Sequence, residues 1–150
     1  MKEKTLDYFL RAAWQAVARM YNEEASKFDS TMATGFTLLS IDPENGTPST
    51  ALGPKMGMEA TSLSRILKTM EARMLIERKP NPEDGRSVLI HLTDFGREKR
   101  DVSKKVVLQF NDVVKQNVSE EEIEGFLKVT QTIMELIAEK KIYKNQISTN

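Results

Sequence analysis

The sequence predicts a mainly α chain of six helices with a small β-hairpin wing between the fourth and the fifth. Apolar residues recur at three-and-four spacing through most of the chain, and two short alternating runs flank one reversal rich in Pro, Asp and Gly. In addition, the helices at the two ends carry more apolar residues than a small central module can cover. With 150 residues, 39% hydrophobic and 29% charged, the chain has enough apolar material for one buried core plus an oligomerisation extension.

Leu6, Phe9, Leu10, Trp14, Val17, Met20, Tyr21 and Phe28 mark one face of a long first helix over 5–28. Phe36, Leu38, Leu39 and Ile41 predict a short second helix, ended by Asp42-Pro43-Glu44-Asn45-Gly46, whose residues favour turns. Thr47-Pro48 has the form of an N-cap followed by Pro at the first helical position, and Gly57 that of a C-terminal stop, which predicts a third helix over 48–56. Pro54 should kink or shorten it, because it has no N–H for the Thr50 carbonyl.

A fourth helix over 60–73 turns Leu63, Ile66, Leu67 and Met70 inward and Thr61, Ser62, Ser64, Arg65 and Lys68 outward. Strands follow over 75–79 and 87–92, the second with Val88, Ile90 and Leu92 on one side, and residues 81–86 reverse the chain between them. Val102, Val106, Phe110, Val113 and Val114 mark a fifth helix. Ser119-Glu120-Glu121-Glu122 matches a capping box that opens a sixth, with Ile123, Phe126, Leu127, Ile133, Met134 and Ile137 inward. An intertwined dimer would bury the apolar faces of helices one and six.

The absence of Cys removes disulfides, thiolate metal sites and cysteine nucleophiles, and the single His91 leaves no two-histidine metal site within one chain. His91 reads as a surface or hydrogen-bonded strand residue, and Glu120-Glu121-Glu122 as favourable charge at a helix start. No nucleophile–base pair or phosphate-binding Gly loop is visible, so no enzyme, cofactor or metal is expected. With no apolar leader at the N-terminus and no long uncharged apolar stretch, a cytoplasmic protein without a membrane partner is expected.

Formal charge is zero overall but unevenly spread: −2 over 1–54, +4 over 55–105 and −2 over 106–150. The positive excess coincides with the polar face of the fourth helix and with the hairpin, the two parts that a winged helix-turn-helix lays on DNA.

The run Leu52-Gly53-Pro54-Lys55-Met56-Gly57-Met58-Glu59-Ala60-Thr61-Ser62-Leu63-Ser64-Arg65, the loop Asp84-Gly85-Arg86 and then Leu92-Thr93-Asp94-Phe95-Gly96 resemble the MarR family of bacterial winged helix-turn-helix transcription regulators. That family carries Asp-x-Arg in the wing, then a strand and Leu-Thr-x-x-Gly, and the helix order agrees along nearly the whole chain. The resemblance implies an N-terminal dimerisation helix over 1–30, a DNA-binding lobe over 31–100 and C-terminal dimerisation helices over 101–150.

The side chains fit that implication. Thr61, Ser62 and Ser64 are short enough to let a helix approach base edges in a major groove, while Arg65 and Lys68 add reach and charge. Arg86, beside Gly85 at the hairpin tip, suits a narrow minor groove. By resemblance, Asp84 orients the wing by pairing with an arginine of the recognition helix, with Arg65 as the candidate. Three positions depart from the family pattern. Met74 stands where Gly usually closes the recognition helix, Glu59 takes the N-cap place and would repel phosphates, and Pro54 interrupts the preceding helix.

The function implied is a sequence-specific, ligand-responsive repressor that acts as a homodimer on double-stranded DNA with a near-palindromic operator. In that family a small-molecule effector often binds between the dimer helices and the DNA-binding lobe, where Met20 and Met32 are candidate lining residues and Trp14 and Tyr21 read as dimer core or packing. No residue identifies the effector, and the absence of Cys excludes a trigger by thiol oxidation. The competing reading is a winged-helix module that binds another protein, favoured by the neutral total charge and by Glu59.

Overall fold

A computed structural model describes residues 4–143. Its elements run α1 (Leu6–Ser26), α2 (Met32–Ser40), β1 (Thr47–Pro48), α3 (Ser49–Met56), α4 (Ala60–Ala72), β2 (Ile76–Pro80), β3 (Val88–Leu92), α5 (Asp94–Asn117) and α6 (Glu120–Ala138). Backbone contacts divide the chain into two units, Met1–Val107 and Leu108–Asn150.

In the first unit, α2, α3, α4 and the sheet close around one apolar core. Leu38, Ile41, Leu52, Leu63, Leu67, Met70, Leu75, Ile76, Ile90 and Leu92 are all buried in it, with Met56, Ile66 and Val88 packed at its edge. Each helix supplies its residues at the spacing of one face, and β3 supplies Val88, Ile90 and Leu92 from alternate positions, as the periodicity predicts. The Thr31 hydroxyl caps α2 by accepting from Thr34 N–H at 3.2 Å.

The antiparallel sheet has the order β1-β3-β2. Its hairpin register runs from Ile76 opposite Leu92 to Pro80 opposite Val88. The third strand corrects the expectation for Thr47-Pro48. Thr47 pairs with Ile90 and its hydroxyl accepts from Asp42 N–H at 2.8 Å, so the two residues form an edge strand and α3 starts only at Ser49. Proline is tolerated there because an edge strand needs few of its donors. Pro54 does not end the helix early. α3 runs through it to Met56 and stops at Gly57, which takes the left-handed conformation at φ +64°.

In the second unit α6 opens with the predicted capping box: Glu122 N–H donates to the Ser119 hydroxyl at 3.1 Å and Ser119 N–H donates to the Glu122 carboxylate at 3.0 Å. These bonds hold the Glu122 carboxyl below its ordinary pKa, the backbone donor contributing most. No residue of α6 is buried.

Candidate nucleic-acid interface

Helix α4 is the element on which the site depends. Leu63, Leu67 and Met70 anchor it in the core, so Thr61, Ser62, Ser64, Arg65 and Lys68 are all presented to solvent, as the sequence predicts. Glu59 does sit at the N-cap, and its side chain makes no capping bond. The N-terminal turn of α4 therefore keeps backbone N–H groups without a side-chain acceptor, next to a carboxylate that disfavours phosphate.

The exit of α4 does not differ in the way the Met74 departure suggests. Met74 adopts the left-handed conformation at φ +59° although it is not glycine, a geometry costing about 1 kcal/mol or more for a residue with a Cβ. Met74 N–H donates to Glu71 O at 3.0 Å and Leu75 N–H to Met70 O at 2.9 Å, closing the helix as a glycine would.

The Leu-Thr-x-x-Gly motif supplies the rest of the clamp. The Thr93 hydroxyl donates to Met74 O at 2.6 Å and accepts from Gly96 N–H at 2.9 Å, while Thr93 N–H donates to Leu75 O at 3.1 Å. Gly96 must be glycine because a Cβ there would lie 1.9 Å from the Leu75 carbonyl oxygen. One threonine and one glycine thus join the end of α4 to the start of α5.

The wing loop carries an exposed Arg86. Asp84 acts inside that loop: its carboxylate accepts from Arg86 N–H at 3.0 Å and its carbonyl from Ser87 N–H at 3.2 Å. No ion pair between Asp84 and Arg65 occurs among the described residues, so in this structure Asp84 shapes the turn that carries Arg86 and does not reach the helix. Asn81, which sequence reasoning missed, braces the other side of the loop, donating to the Ser87 hydroxyl at 2.8 Å and accepting from Glu83 N–H at 3.0 Å. Its position before Pro82 was the available signal. Also missed was an ion pair from Arg78 on β2 to Glu71 on α4, Nε to Oε2, at 2.5 Å.

The remaining singled-out residues divide between packed and exposed positions. The His91 ring lies against Gly46, where a Cβ would approach it to 2.8 Å, and Gly46 is left-handed at φ +73°. Tyr21 is buried and meets Phe36 edge to face at 5.7 Å, whereas Trp14 on the same helix is 54% exposed. Within the first unit, α1, α2 and the start of α5 enclose an apolar cavity of about 70 Å³, lined among others by Tyr21, Met32, Phe36, Leu75 and Phe95, with Lys99 and Arg73 as its cations. Met32 lines it as expected and Met20 does not. Lys99 Nζ stands 5.4 Å from the Phe95 ring centre and 5.9 Å from that of Phe28. Among the described residues no cluster of three potential metal ligands occurs, and no helix is long and apolar enough to cross a membrane.

Comparison with known proteins places this geometry. Residues 31–88, which hold α2, α3, α4, β2 and the wing loop as far as the first residue of β3, match the MarR family. The chain is 38% identical over 71 residues to an uncharacterized HTH-type transcriptional regulator, YdgJ, of Bacillus subtilis strain 168, covering 47% of this chain and 43% of that protein. It is 31% identical over 94 residues to the organic hydroperoxide resistance transcriptional regulator of the same organism, covering 63% of this chain and 64% of that one. The matches thus span less than two thirds of either relative. Among solved structures, MepR of Staphylococcus aureus in complex with DNA superposes with a TM-score of 0.80 at 21% identity, over 89% of this chain and 98% of that one. With the wing motif, the Leu-Thr-x-x-Gly clamp and the helix order also in place, the chain is similar to the MarR family, whose model matches residues 31–88.

Proposed function

We propose that this chain is a sequence-specific DNA-binding transcription regulator, a ligand-responsive repressor acting as a homodimer on a near-palindromic operator. The observation that carries the reading is the pairing of two exposed elements on one buried core. Thr61, Ser62, Ser64, Arg65 and Lys68 stand out along α4, and Arg86 stands at the wing. No ion pair among the described residues engages the side chain of Arg65, Lys68 or Arg86, which leaves all three cations for phosphates and base edges. MepR, whose fold this chain shares, was solved in complex with DNA, which supports the reading.

In this reading α4 enters a major groove and Arg86 the flanking minor groove, with half-sites about one helical turn, roughly 34 Å, apart. Residues 1–30 and 101–150 pair two copies, and residues 31–100 read DNA. The chain is not an enzyme, needs no cofactor and works in the cytoplasm. Its effector site is the cavity between α1, α2 and the start of α5, whose lining residues Arg73 and Leu75 flank the clamped Met74. An effector that favours the DNA-incompetent arrangement by about 1–3 kcal/mol weakens operator binding some 5- to 150-fold.

Selection of random duplexes by the purified protein tests the reading. Enrichment of a two-fold-symmetric site is expected, with Arg65→Ala relaxing base preference and Arg86→Ala weakening binding most on A·T-rich flanks. No enrichment at low salt, or both variants binding the selected site as the parent does, would overturn it.

A further inference from the structure

We propose that the Glu71–Arg78 ion pair sets the angle of the wing against the recognition helix, so that both are positioning residues for binding two grooves at once; this rests on the DNA-reading function above. The pair spans the connection from α4 to β2, with Glu71 three residues before Met74 and Arg78 four after it. That connection turns on a non-glycine residue in the left-handed conformation, held at its carbonyl by the Thr93 hydroxyl.

Beyond Ile76 the β2 residues are exposed, so core packing does not hold the outer strand against the helix. Arg78 stands opposite Ile90, which is fully buried, and its side chain reaches back to α4 from the middle of the hairpin. Asp84, by contrast, bonds only within its own loop. At about 3.3 Å per residue the arm from Ile76 to the loop tip is roughly 20 Å long, so a pivot of about 10° at its root carries Arg86 some 3 Å, the length of a hydrogen bond. Arg78, although part of the basic segment, is then spent on Glu71 and not on phosphate.

Two measurements on the full chain test this. In operator binding, Glu71→Gln and Arg78→Gln should each weaken affinity about two- to fivefold, the range of an exposed pair, with little change in Tm. They should also shrink the penalty of Arg86→Ala, and the charge-swapped Glu71→Arg/Arg78→Glu chain should recover affinity. Tighter binding by Glu71→Gln, or an unchanged Arg86→Ala penalty, would overturn the proposal.

The second measurement needs no DNA. Because the sequence has no Cys, spin labels can be placed through Ser62→Cys and Glu83→Cys alone, and distances measured in labelled chains diluted with unlabelled protein. Glu71→Gln should broaden the helix-to-wing distance distribution, and an unchanged distribution would overturn the proposal. If the parent bound no duplex, the DNA-reading function would fail while the distances still decided the role of the pair.

Discussion

The central lobe and the terminal helices are written in the same amphipathic code and end in opposite states. Leu38, Leu52, Leu63, Leu67 and Met70 are buried within the chain itself. On α1, Leu6 is 67% and Phe9 57% exposed, and on α6, Phe126 is 60% and Met134 62% exposed. An apolar stripe states which face of a helix gains from leaving water, and the rest of the chain decides whether anything covers it. In the lobe, two turns and a hairpin bring the covering residues from within about 60 positions. For the end helices the covering surface is the second copy proposed above, since contiguous apolar surface of this kind is disfavoured on a monomer.

Breaking the lobe should cost the most. Gly96→Ala forces a methyl into the Leu75 carbonyl and should lower stability by about 3 kcal/mol or more, read by thermal or denaturant unfolding. A near-neutral Ala would mean that the α4–α5 clamp yields easily and is no rigid joint.

Changes on the terminal helices should instead be read in association. Phe126→Glu should weaken dimerisation at least about 30-fold, the loss expected when a buried interface anchor worth about 2 kcal/mol is removed, while leaving the lobe folded. Sedimentation equilibrium measures it, and parent-like association would take α6 out of the interface.

Two smaller effects sharpen the contrast. Ser119→Ala removes the hydroxyl half of the α6 capping box and should cost about 1 kcal/mol. Because the folded state lowers the Glu122 pKa, that carboxylate stabilises the fold above its unfolded pKa and loses the contribution as pH falls through the folded one. Glu122→Gln, which removes the titrating carboxyl, should therefore lose less stability on acidification than the parent. Met74→Gly should raise stability by about 0.5–1 kcal/mol by relieving a Cβ at φ +59°, net of the extra entropy of glycine. A loss in that variant would show that the methionine side chain contributes more than its backbone costs.

Much of the fold was legible because it is local. Periodicity marked the described helices except α3, which its end signals marked, the Asn-Pro-Glu-Asp-Gly-Arg run marked the reversal, and Ser119 with Glu122 marked a capping box that forms as read. What escaped was set by distant partners. Thr47-Pro48 has the form of a helix start and becomes a strand because β3 offers it an edge. Met74 carries no local signal for a left-handed turn, and adopts one because the Thr93 hydroxyl, nineteen residues on, holds its carbonyl. At the candidate interface the outward residues of α4 follow from spacing alone, since a buried stripe defines its opposite. The partners of Asp84 and Glu71 do not follow, because exposed charges choose among several neighbours in three dimensions.

The central claim, that one region reads DNA while the other joins two readers, is tested most directly by the stoichiometry and salt dependence of the complex with the selected duplex. The account predicts two chains on each two-fold-symmetric site and an affinity that falls steeply with salt as several phosphate contacts release counterions. A single chain per site, or an affinity indifferent to salt, would contradict it.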